Sequence, residues 1–331
     1  MKYNFDEIIP RRGTNSYKWD SANDADILPM WVADMDFRTA PAVTEALKKR
    51  VEHGIFGYVR VPDSYYHAVI HWFDRRHNWK IEREWIIYTT GVVPALSAVI
   101  KSLTNPGDRI LVQTPVYNCF FSSIRNNGCE MISNPLIYED NTYRIDFDDL
   151  EKKAADPKVK LLLLCNPHNP TGTVWTEQEL EGICRFCKAH ELLIISDEAH
   201  YDFVFHGQHT MLRKIVEKYD VSSVTMISPG KSFNVAGVQT AALLVDGDTM
   251  KEQIMSRMNA MAYPFEHAFA EGVTVGAYME SEEWFEEVYR YIKENKEMTV
   301  QYIRENIPHL RVPESEATYL LWVDCSAMKM T

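Results

Sequence analysis

The segment SPGKSFN at residues 228–234 follows the apolar run VTMI at residues 224–227 and places Lys231 just beyond it. Two other apolar runs have the same form. LLLLC at residues 161–165 leads into NPHNPTG, and LLII at residues 192–195 leads into SDEAH. Short apolar runs that end in turn residues and are separated by helical stretches are typical of parallel strands buried on both faces. We therefore predict an α/β fold with a mostly parallel sheet.

The polar residues that follow these runs form one candidate site. Ligands of open α/β sheets bind at the carboxyl ends of the parallel strands. Asn169, Asp197 and Lys231 each lie just beyond such an end, so one crevice could hold all three despite their separation in sequence. An amine and a buried carboxylate are groups that a pyridoxal phosphate cofactor requires. We interpret Lys231 as a Schiff-base lysine for this cofactor.

Together these segments resemble those of pyridoxal phosphate enzymes with the aspartate aminotransferase fold, known as fold type I. Two further segments narrow the resemblance. PMWVADMDF at residues 29–37 and TGVVPAL at residues 90–96 are similar to segments of cystathionine β-lyases of the MalY/PatB type. The resemblance covers the chain from about Met1 to its last residue. It implies a mostly parallel seven-stranded sheet sandwiched by helices, with a smaller α+β domain beside it.

The chain is expected to form two closely packed domains. A large domain that binds the cofactor is predicted at residues 45–270, and residues 1–44 with residues 271–331 are predicted to form the small domain. Within the small domain, residues 281–306 have the apolar periodicity of a helix. The segment TYLLWVD at residues 318–324 is predicted to be a strand. The N-terminal segment is expected to pack against this domain and to border the substrate entrance.

The resemblance assigns roles to the site residues. Lys231 is expected to bond the cofactor aldehyde and, once displaced by substrate, to act as general base at the substrate Cα. Asp197 is expected to keep the ring nitrogen protonated, and Asn169 to donate a hydrogen bond to the ring hydroxyl oxygen. His200 lies where some relatives have tyrosine and is expected to contact the cofactor. Tyr117 resembles the aromatic residue that stacks on the pyridine ring.

A phosphate cradle is predicted where a strand at residues 86–89 runs into a helix. The backbone amides of Gly91, Val92 and Val93 are the expected donors, because the N-terminus of a helix stabilises an anion. The hydroxyl of Ser228 is expected on the other side of the phosphate.

Charge neutralisation of the phosphate is expected to differ from that in many fold type I enzymes. Those enzymes carry an arginine eight positions after the lysine, and this chain has Gln239 there. Tyr58, in the pair Gly57-Tyr58, resembles a tyrosine that reaches across a dimer to the neighbouring cofactor's phosphate. We therefore predict a homodimer in which Tyr58 contributes to catalysis in the neighbouring site.

Two spacings that resemble metal motifs are expected to be structural. Cys184 and Cys187 lie in a helical stretch that begins with a capping-box pattern, and no second cysteine pair follows. His67 and His71 are four residues apart but lack the glutamate of a His-Glu-x-x-His motif. No metal is therefore expected.

Composition is that of a cytoplasmic enzyme. The 331 residues are 46% hydrophobic and 25% charged, which is enough for a large core. The net charge is −12 and no basic block stands out, so nucleic acid is not an expected partner. The start lacks the apolar stretch of a signal peptide, and no apolar run is long enough to span a bilayer. The six cysteines have no regular spacing and are expected to be free thiols.

The end of the chain departs from the pattern of its relatives. They continue for about sixty residues beyond the position of Thr331, and that continuation carries an arginine that grips the substrate α-carboxylate by paired hydrogen bonds. No arginine of this chain occupies a matching motif, so no carboxylate-binding residue is assigned. The chain is expected to be a fragment or the product of a truncated gene, and a naturally short protein is the alternative.

The predicted activity is α,β-elimination of L-cystathionine or related S-substituted cysteines to a thiol, pyruvate and ammonia. With cystathionine the thiol is homocysteine. An aminotransferase on the same cofactor is the first alternative, since both reactions use the same lysine. The segments at residues 34–37 and 91–93 favour the lyase. A truncated cofactor-binding protein with a regulatory interaction is the second alternative, and no residue specifically supports it.

Overall fold

The computed structural model describes residues 2–21, 24, 26–263 and 266–329. Strands and helices alternate over most of this length. The strands are β1 (Ile86–Thr89), β2 (Arg109–Thr114), β3 (Glu130–Pro135), β4 (Ile137–Glu139), β5 (Thr142–Arg144), β6 (Val159–Cys165), β7 (Leu193–Asp197), β8 (Ser223–Ile227) and β9 (Ala241–Val245). The helices are α1 (Pro41–His53), α2 (Asp63–His77), α3 (Val92–Leu103), α4 (Asn118–Asn126), α5 (Phe147–Ala154), α6 (Glu177–Ala189), α7 (Leu212–Val216), α8 (Asp248–Ala260), α9 (Ala270–Glu280) and α10 (Glu282–Asn306).

Among the described residues, seven strands form one sheet in the order β1-β9-β8-β7-β6-β2-β3. The five strands from β8 to β3 are parallel to one another, and β9 is antiparallel to both of its neighbours. Strand β1 therefore runs in the same direction as β8, and its carboxyl end lies at the same edge. Strands β4 and β5 form a separate hairpin. The α/β fold with a mostly parallel seven-stranded sheet is confirmed.

The sheet is covered by helices on both faces, as β6 illustrates. Leu161 and Leu163 belong to the apolar cluster that includes α3, α4 and α8, whereas Leu162 and Leu164 belong to the cluster that includes α5, α6 and α7. Successive side chains of a strand point to opposite faces, so an uninterrupted apolar run buries both. All four leucines are buried, and each stabilises the fold by about 2 kcal/mol.

A third apolar cluster joins the N-terminal segment to the long helix α10. The Phe5 ring packs edge-on against Trp284 and the Phe37 ring against Tyr291, with ring centroids 6.0 Å and 5.4 Å apart. The Lys2 amide donates to the carboxylate of Glu287. The N-terminal segment therefore packs on α10, as expected, and this packing fixes the path of the chain that follows Phe37.

The small-domain elements agree with the sequence only in part. The helix predicted at residues 281–306 is confirmed as α10, with Ser281 as its N-cap. The strand predicted at residues 318–324 is wrong. Within the described part of the chain, its backbone-to-backbone pairing is limited to an isolated bridge between Asp324 and Arg311 and one hydrogen bond from the Thr318 amide to the Phe203 carbonyl. A strand requires a continuous row of paired backbone groups, and these two separate contacts do not supply it. The domain boundaries at residues 45 and 270 stay predictions.

Cys184 and Cys187 are buried core residues of α6, and the predicted capping box at the start of this helix is present. His67 and His71 stack on one face of α2, with ring centroids 5.9 Å apart. Over the described ranges, no three His, Cys, Asp or Glu side chains gather closely enough to hold a metal ion. No helix in the same ranges has the length and apolar character needed to cross a membrane.

Candidate active site

Three adjacent strands bring the predicted site residues to one edge of the sheet. Asp197 is the last residue of β7, and in the sheet register it lies between Cys165 of β6 and Met226 of β8. Asn169 follows the end of β6 by four residues, and Lys231 follows the end of β8 by four residues. Parallel neighbours present their carboxyl ends at the same edge. The expected meeting of these three residues at one crevice follows from the strand order.

The amine of Lys231 lies in the crevice beside a backbone carbonyl. Its Nζ donates a hydrogen bond of 2.6 Å to the oxygen of Ala33. Burial lowers the pKa of Lys231, and the carboxylates of Asp197 and Asp34 oppose that change. A lower pKa increases the fraction of neutral amine, which is the form that bonds an aldehyde or accepts a proton. The site therefore suits Lys231 to both chemical roles.

Asp197 is a buried carboxyl group with an altered proton affinity. Burial raises its pKa from 3.8 to about 6, while a hydrogen bond from the Ala199 amide and the charge of Lys231 act in the opposite direction. The Ala199 nitrogen lies 3.1 Å from Asp197 Oδ1. A cationic ring nitrogen beside this carboxyl group would favour its ionised form. Asp197 is thus suited to pair with a protonated pyridine.

His200 is a buried residue near Lys231 with a polar atom that has no partner among the described residues. Burial, with a smaller contribution from the charge of Lys231, lowers the pKa of His200 to about 3. The imidazole is therefore neutral at pH 7. Among the described residues, its Nδ1 atom has no hydrogen-bond partner. A buried polar atom without a partner is costly, so a polar group on a bound ligand would stabilise this side chain.

The predicted phosphate cradle lies at the start of α3, at the same edge of the sheet. Gly91 precedes this helix with φ +134°, and the amides of the first helical turn have no partner within the helix. Ser228 is engaged by the backbone, since its Oγ donates to the Thr240 carbonyl at 2.8 Å and accepts from the Gly230 amide at 3.0 Å. Its hydroxyl would have to turn to reach a phosphate. Together with Lys231, these groups fit pyridoxal phosphate.

The two tyrosines differ in accessibility. Tyr117 is the N-cap of α4 and is half-buried. Burial raises its pKa, and Cys119 and Asp197 act in the same direction, so its ring lies near the crevice. Tyr58 is fully exposed in the connection between α1 and α2. Gln239, eight positions after Lys231 in the chain, is exposed with φ +55°. The contacts of these residues with a cofactor stay predictions.

Several residues that border the site were not predicted from the sequence. Tyr319 Oη donates to the Ala33 oxygen at 3.1 Å, so two side chains share one carbonyl. Asp202 is buried and accepts a hydrogen bond of 2.5 Å from Ser232, which follows Lys231 in the chain. Asp202 also accepts from Trp72 Nε1 at 3.3 Å. Only the proximity of Ser232 to Lys231 in sequence pointed toward this group.

The loop that carries Asn169 is held from the far end of the chain. The carbonyl of Gly172 accepts hydrogen bonds from the amides of Glu316 at 2.9 Å and Ala317 at 2.8 Å. Gly172 has φ +72°, and a Cβ atom there would overlap Ser315 Oγ and lie 2.6 Å from the Ala317 oxygen. Glycine is therefore required for both its backbone angle and its lack of a side chain.

We expect Gly172→Ala to lower the free energy of unfolding by ~2–4 kcal/mol, from overpacking together with a strained backbone angle. Gly107→Ala is the matched control, because Gly107 has φ +91° but nothing within 4 Å of its Cβ position. That variant is expected to lose only ~1 kcal/mol. Urea unfolding of both variants measures the difference. Equal losses would show that the docking of residues 315–317 against Gly172 is unimportant.

The amino-acid sequence is similar to a known protein family and to characterised members of it. Residues 25–331 match the family described as aminotransferase class I and II. Cystathionine beta-lyase PatB of Bacillus subtilis is 39% identical over 329 residues, which cover 98% of this chain and 85% of the relative. Protein MalY of Escherichia coli is 31% identical over 330 residues, which cover 97% of this chain and 84% of MalY.

A solved structure gives the same relationship in three dimensions. The crystal structure of cystalysin from Treponema denticola, which contains pyridoxal 5'-phosphate, superposes with a TM-score of 0.94. It is 34% identical in sequence, and the match covers 100% of this chain and 86% of cystalysin. The likeness therefore extends over the sheet, the crevice and the N-terminal segment.

Proposed function

The chain belongs to the aminotransferase class I and II family, and within it we propose a pyridoxal phosphate-dependent carbon–sulfur β-lyase. The proposed substrate is L-cystathionine or a related S-substituted cysteine, and the products are a thiol, pyruvate and ammonia. The observation that carries the proposal is the partly buried Lys231 amine, whose charge interacts with Asp197, in a chain 39% identical to a cystathionine β-lyase. The expectations of fold, cofactor and enzyme class from the sequence agree with this family.

Each proposed step uses a group of the chain. Pyridoxal phosphate, when bound, supplies an aldehyde that bonds amines and a ring that accepts the electron pair released at the substrate Cα. Lys231 would take the Cα proton on its Nζ, since burial favours the neutral amine. Asp197 would pair with the ring nitrogen, and Asn169 and His200 would bind the polar ring substituent. The amides of residues 91–93 would bind the phosphate.

The direct test is a measurement of pyruvate from L-cystathionine with the purified, cofactor-loaded chain. We expect pyruvate and a thiol in equal amounts without any added oxo acid, because elimination breaks the carbon–sulfur bond and the remaining fragment hydrolyses. Amino transfer would instead require an oxo acid and would leave the carbon–sulfur bond intact. Turnover only in the presence of an oxo acid would establish the aminotransferase alternative.

We further propose that two copies of the chain share their active sites through Tyr58. The side chain is fully exposed, and nearby Val51, Ile55 and Phe56 are exposed apolar residues. An apolar surface of this kind is suited to association with a second copy. In the resulting dimer, Tyr58 would donate a hydrogen bond to the phosphate in the neighbouring site.

Mixing two inactive variants tests this arrangement. In a hybrid dimer of a Lys231→Ala chain and a Tyr58→Ala chain, one site would carry both changes and the other would carry neither. Random mixing is therefore expected to restore about a quarter of the wild-type activity, because half of the dimers are hybrids with one intact site. If Tyr58 served its own chain, every site in the hybrid would be altered and mixing would restore nothing.

A further inference from the structure

The side chain of Asn234 joins the Lys231 loop to the segment at residues 33–37. Its Oδ1 accepts from the Met35 amide at 3.0 Å, and its Nδ2 donates to the carbonyls of Met35 at 3.0 Å and Phe37 at 2.8 Å. The amide group thus pairs with both backbone groups of Met35, as a neighbouring strand would. Asn234 itself has φ +56°, a backbone angle that asparagine tolerates better than most residues.

These hydrogen bonds of Asn234 hold the segment whose backbone carbonyl faces the Lys231 amine. Ala33 lies two residues before Met35, and its carbonyl oxygen accepts from Lys231 Nζ at 2.6 Å and from Tyr319 Oη at 3.1 Å. Arg11 pairs with Asp34 at 2.7 Å and also donates to the Met35 carbonyl at 3.2 Å. The segment is therefore held both by Arg11 and by the Asn234 amide.

We propose that Asn234 is a positioning residue for Lys231: it holds the Ala33 carbonyl as the acceptor for the lysine amine whenever that amine is not bonded to the cofactor. The inference rests on the proposed function, in which substrate displaces Lys231. A neutral amine has two N–H groups and one lone pair, whereas a carbonyl only accepts. Contact with Ala33 therefore uses an N–H of Lys231 and leaves the lone pair free to take the substrate Cα proton.

The kinetic test compares Asn234→Gly with Thr39→Val. Glycine adopts φ +56° without strain, so the first change removes the amide group and leaves the backbone conformation accessible. Thr39 Oγ1 donates to the Phe233 carbonyl at 2.7 Å. Its replacement by valine removes a hydrogen bond between the same two parts of the chain but leaves the bonds of Met35 and Ala33 intact.

For Asn234→Gly we expect kcat on L-cystathionine to fall ~10- to 100-fold through misplacement of the proton acceptor, with KM changed less than ~2-fold. The isotope effect on kcat with substrate deuterated at Cα should rise, because proton removal becomes slower than the other steps. Thr39→Val should leave kcat and the isotope effect unchanged. Equal behaviour of the two variants, or a loss confined to KM, would overturn the positioning role.

A structural measurement covers the case in which Asn234→Gly does not fold. The wild-type chain would be crystallised with cofactor and L-alanine, an amino acid that displaces Lys231 but has no leaving group at Cβ. We expect Lys231 Nζ at about 3 Å from the Ala33 oxygen. A released amine that contacts other acceptors, with Ala33 bonded to Tyr319 alone, would disprove the inference.

The two proposals fail in distinguishable ways. If the chain forms no pyruvate but Nζ lies on the Ala33 oxygen in the L-alanine complex, the lyase proposal fails and the positioning role stands. If pyruvate forms and Asn234→Gly matches Thr39→Val, the lyase stands and the positioning role fails.

Discussion

Replacement of Lys231 by alanine is expected to lower the rate of pyruvate formation from L-cystathionine by at least ~10⁴-fold, the upper range for loss of a positioned acid–base group. Lys231 is the amine that the crevice partly buries near Asp197, and this burial lowers its pKa. Its removal deletes both the covalent attachment to the cofactor and the acceptor of the Cα proton. Alanine leaves space but no basic atom within reach of the substrate.

Peptide mapping and a matched control variant test the assignment of Lys231. Borohydride reduction followed by peptide mapping should find the cofactor on the peptide that contains Lys231 in the wild-type chain, and on no peptide of the variant. Lys218→Ala is the matched control, because Lys218 is exposed and paired with Glu177 on the surface. It should retain full activity. Substantial pyruvate formation by Lys231→Ala would refute the assignment of the proton acceptor.

Asp197→Asn is expected to lower the same activity by ~10²- to 10³-fold, the usual effect of removing one preorganised electrostatic group from a buried site. A neutral amide cannot stabilise a protonated ring nitrogen as a carboxylate does. The ring then accepts the electron pair from Cα less readily, and proton removal by Lys231 slows. Cofactor affinity should also fall, since an ionic contact with the ring becomes a neutral one.

The same substitution should stabilise the cofactor-free chain at neutral pH. The pKa of Asp197 is about 6 in the folded chain, above its ordinary value of 3.8, because the carboxyl group is buried. The folded state therefore holds the proton more tightly than the unfolded state. The contribution of Asp197 to the unfolding free energy is therefore highest below pH 3.8 and falls as the pH rises toward 6. At 1.36 kcal/mol per pH unit, ionised Asp197 costs about 3 kcal/mol above that range.

Urea unfolding of the cofactor-free chains at pH 5 and pH 8 tests the sign of this effect. Asp197→Asn should exceed the wild type in stability at pH 8, and the difference should be smaller at pH 5. With cofactor present the order should reverse, since the wild-type carboxylate then has a cationic partner. A cofactor-free variant that is less stable than the wild type at pH 8 would contradict the burial argument.

The sequence predicted the sheet and the edge that carries the site residues, because both depend on patterns of residues close together in the chain. The apolar run at residues 161–165 has no polar side chain, so it can only be a strand or helix buried on all sides, and its short length with flanking turns favours a strand. Parallel strands then place Asn169, Asp197 and Lys231 at one edge. The strand predicted at residues 318–324 shows the limit of the method, since an apolar pattern does not reveal whether a pairing partner exists.

The amino-acid sequence by itself determined the α/β class, the parallel strands and the three polar residues at their carboxyl ends, because burial and strand direction depend on residues close together in the chain. Only the tertiary structure decided what Lys231 touches. Its amine meets the carbonyl of Ala33, which lies 198 residues earlier in the chain. Every residue has a backbone carbonyl, so no side-chain pattern marks the one that the fold turns toward the lysine.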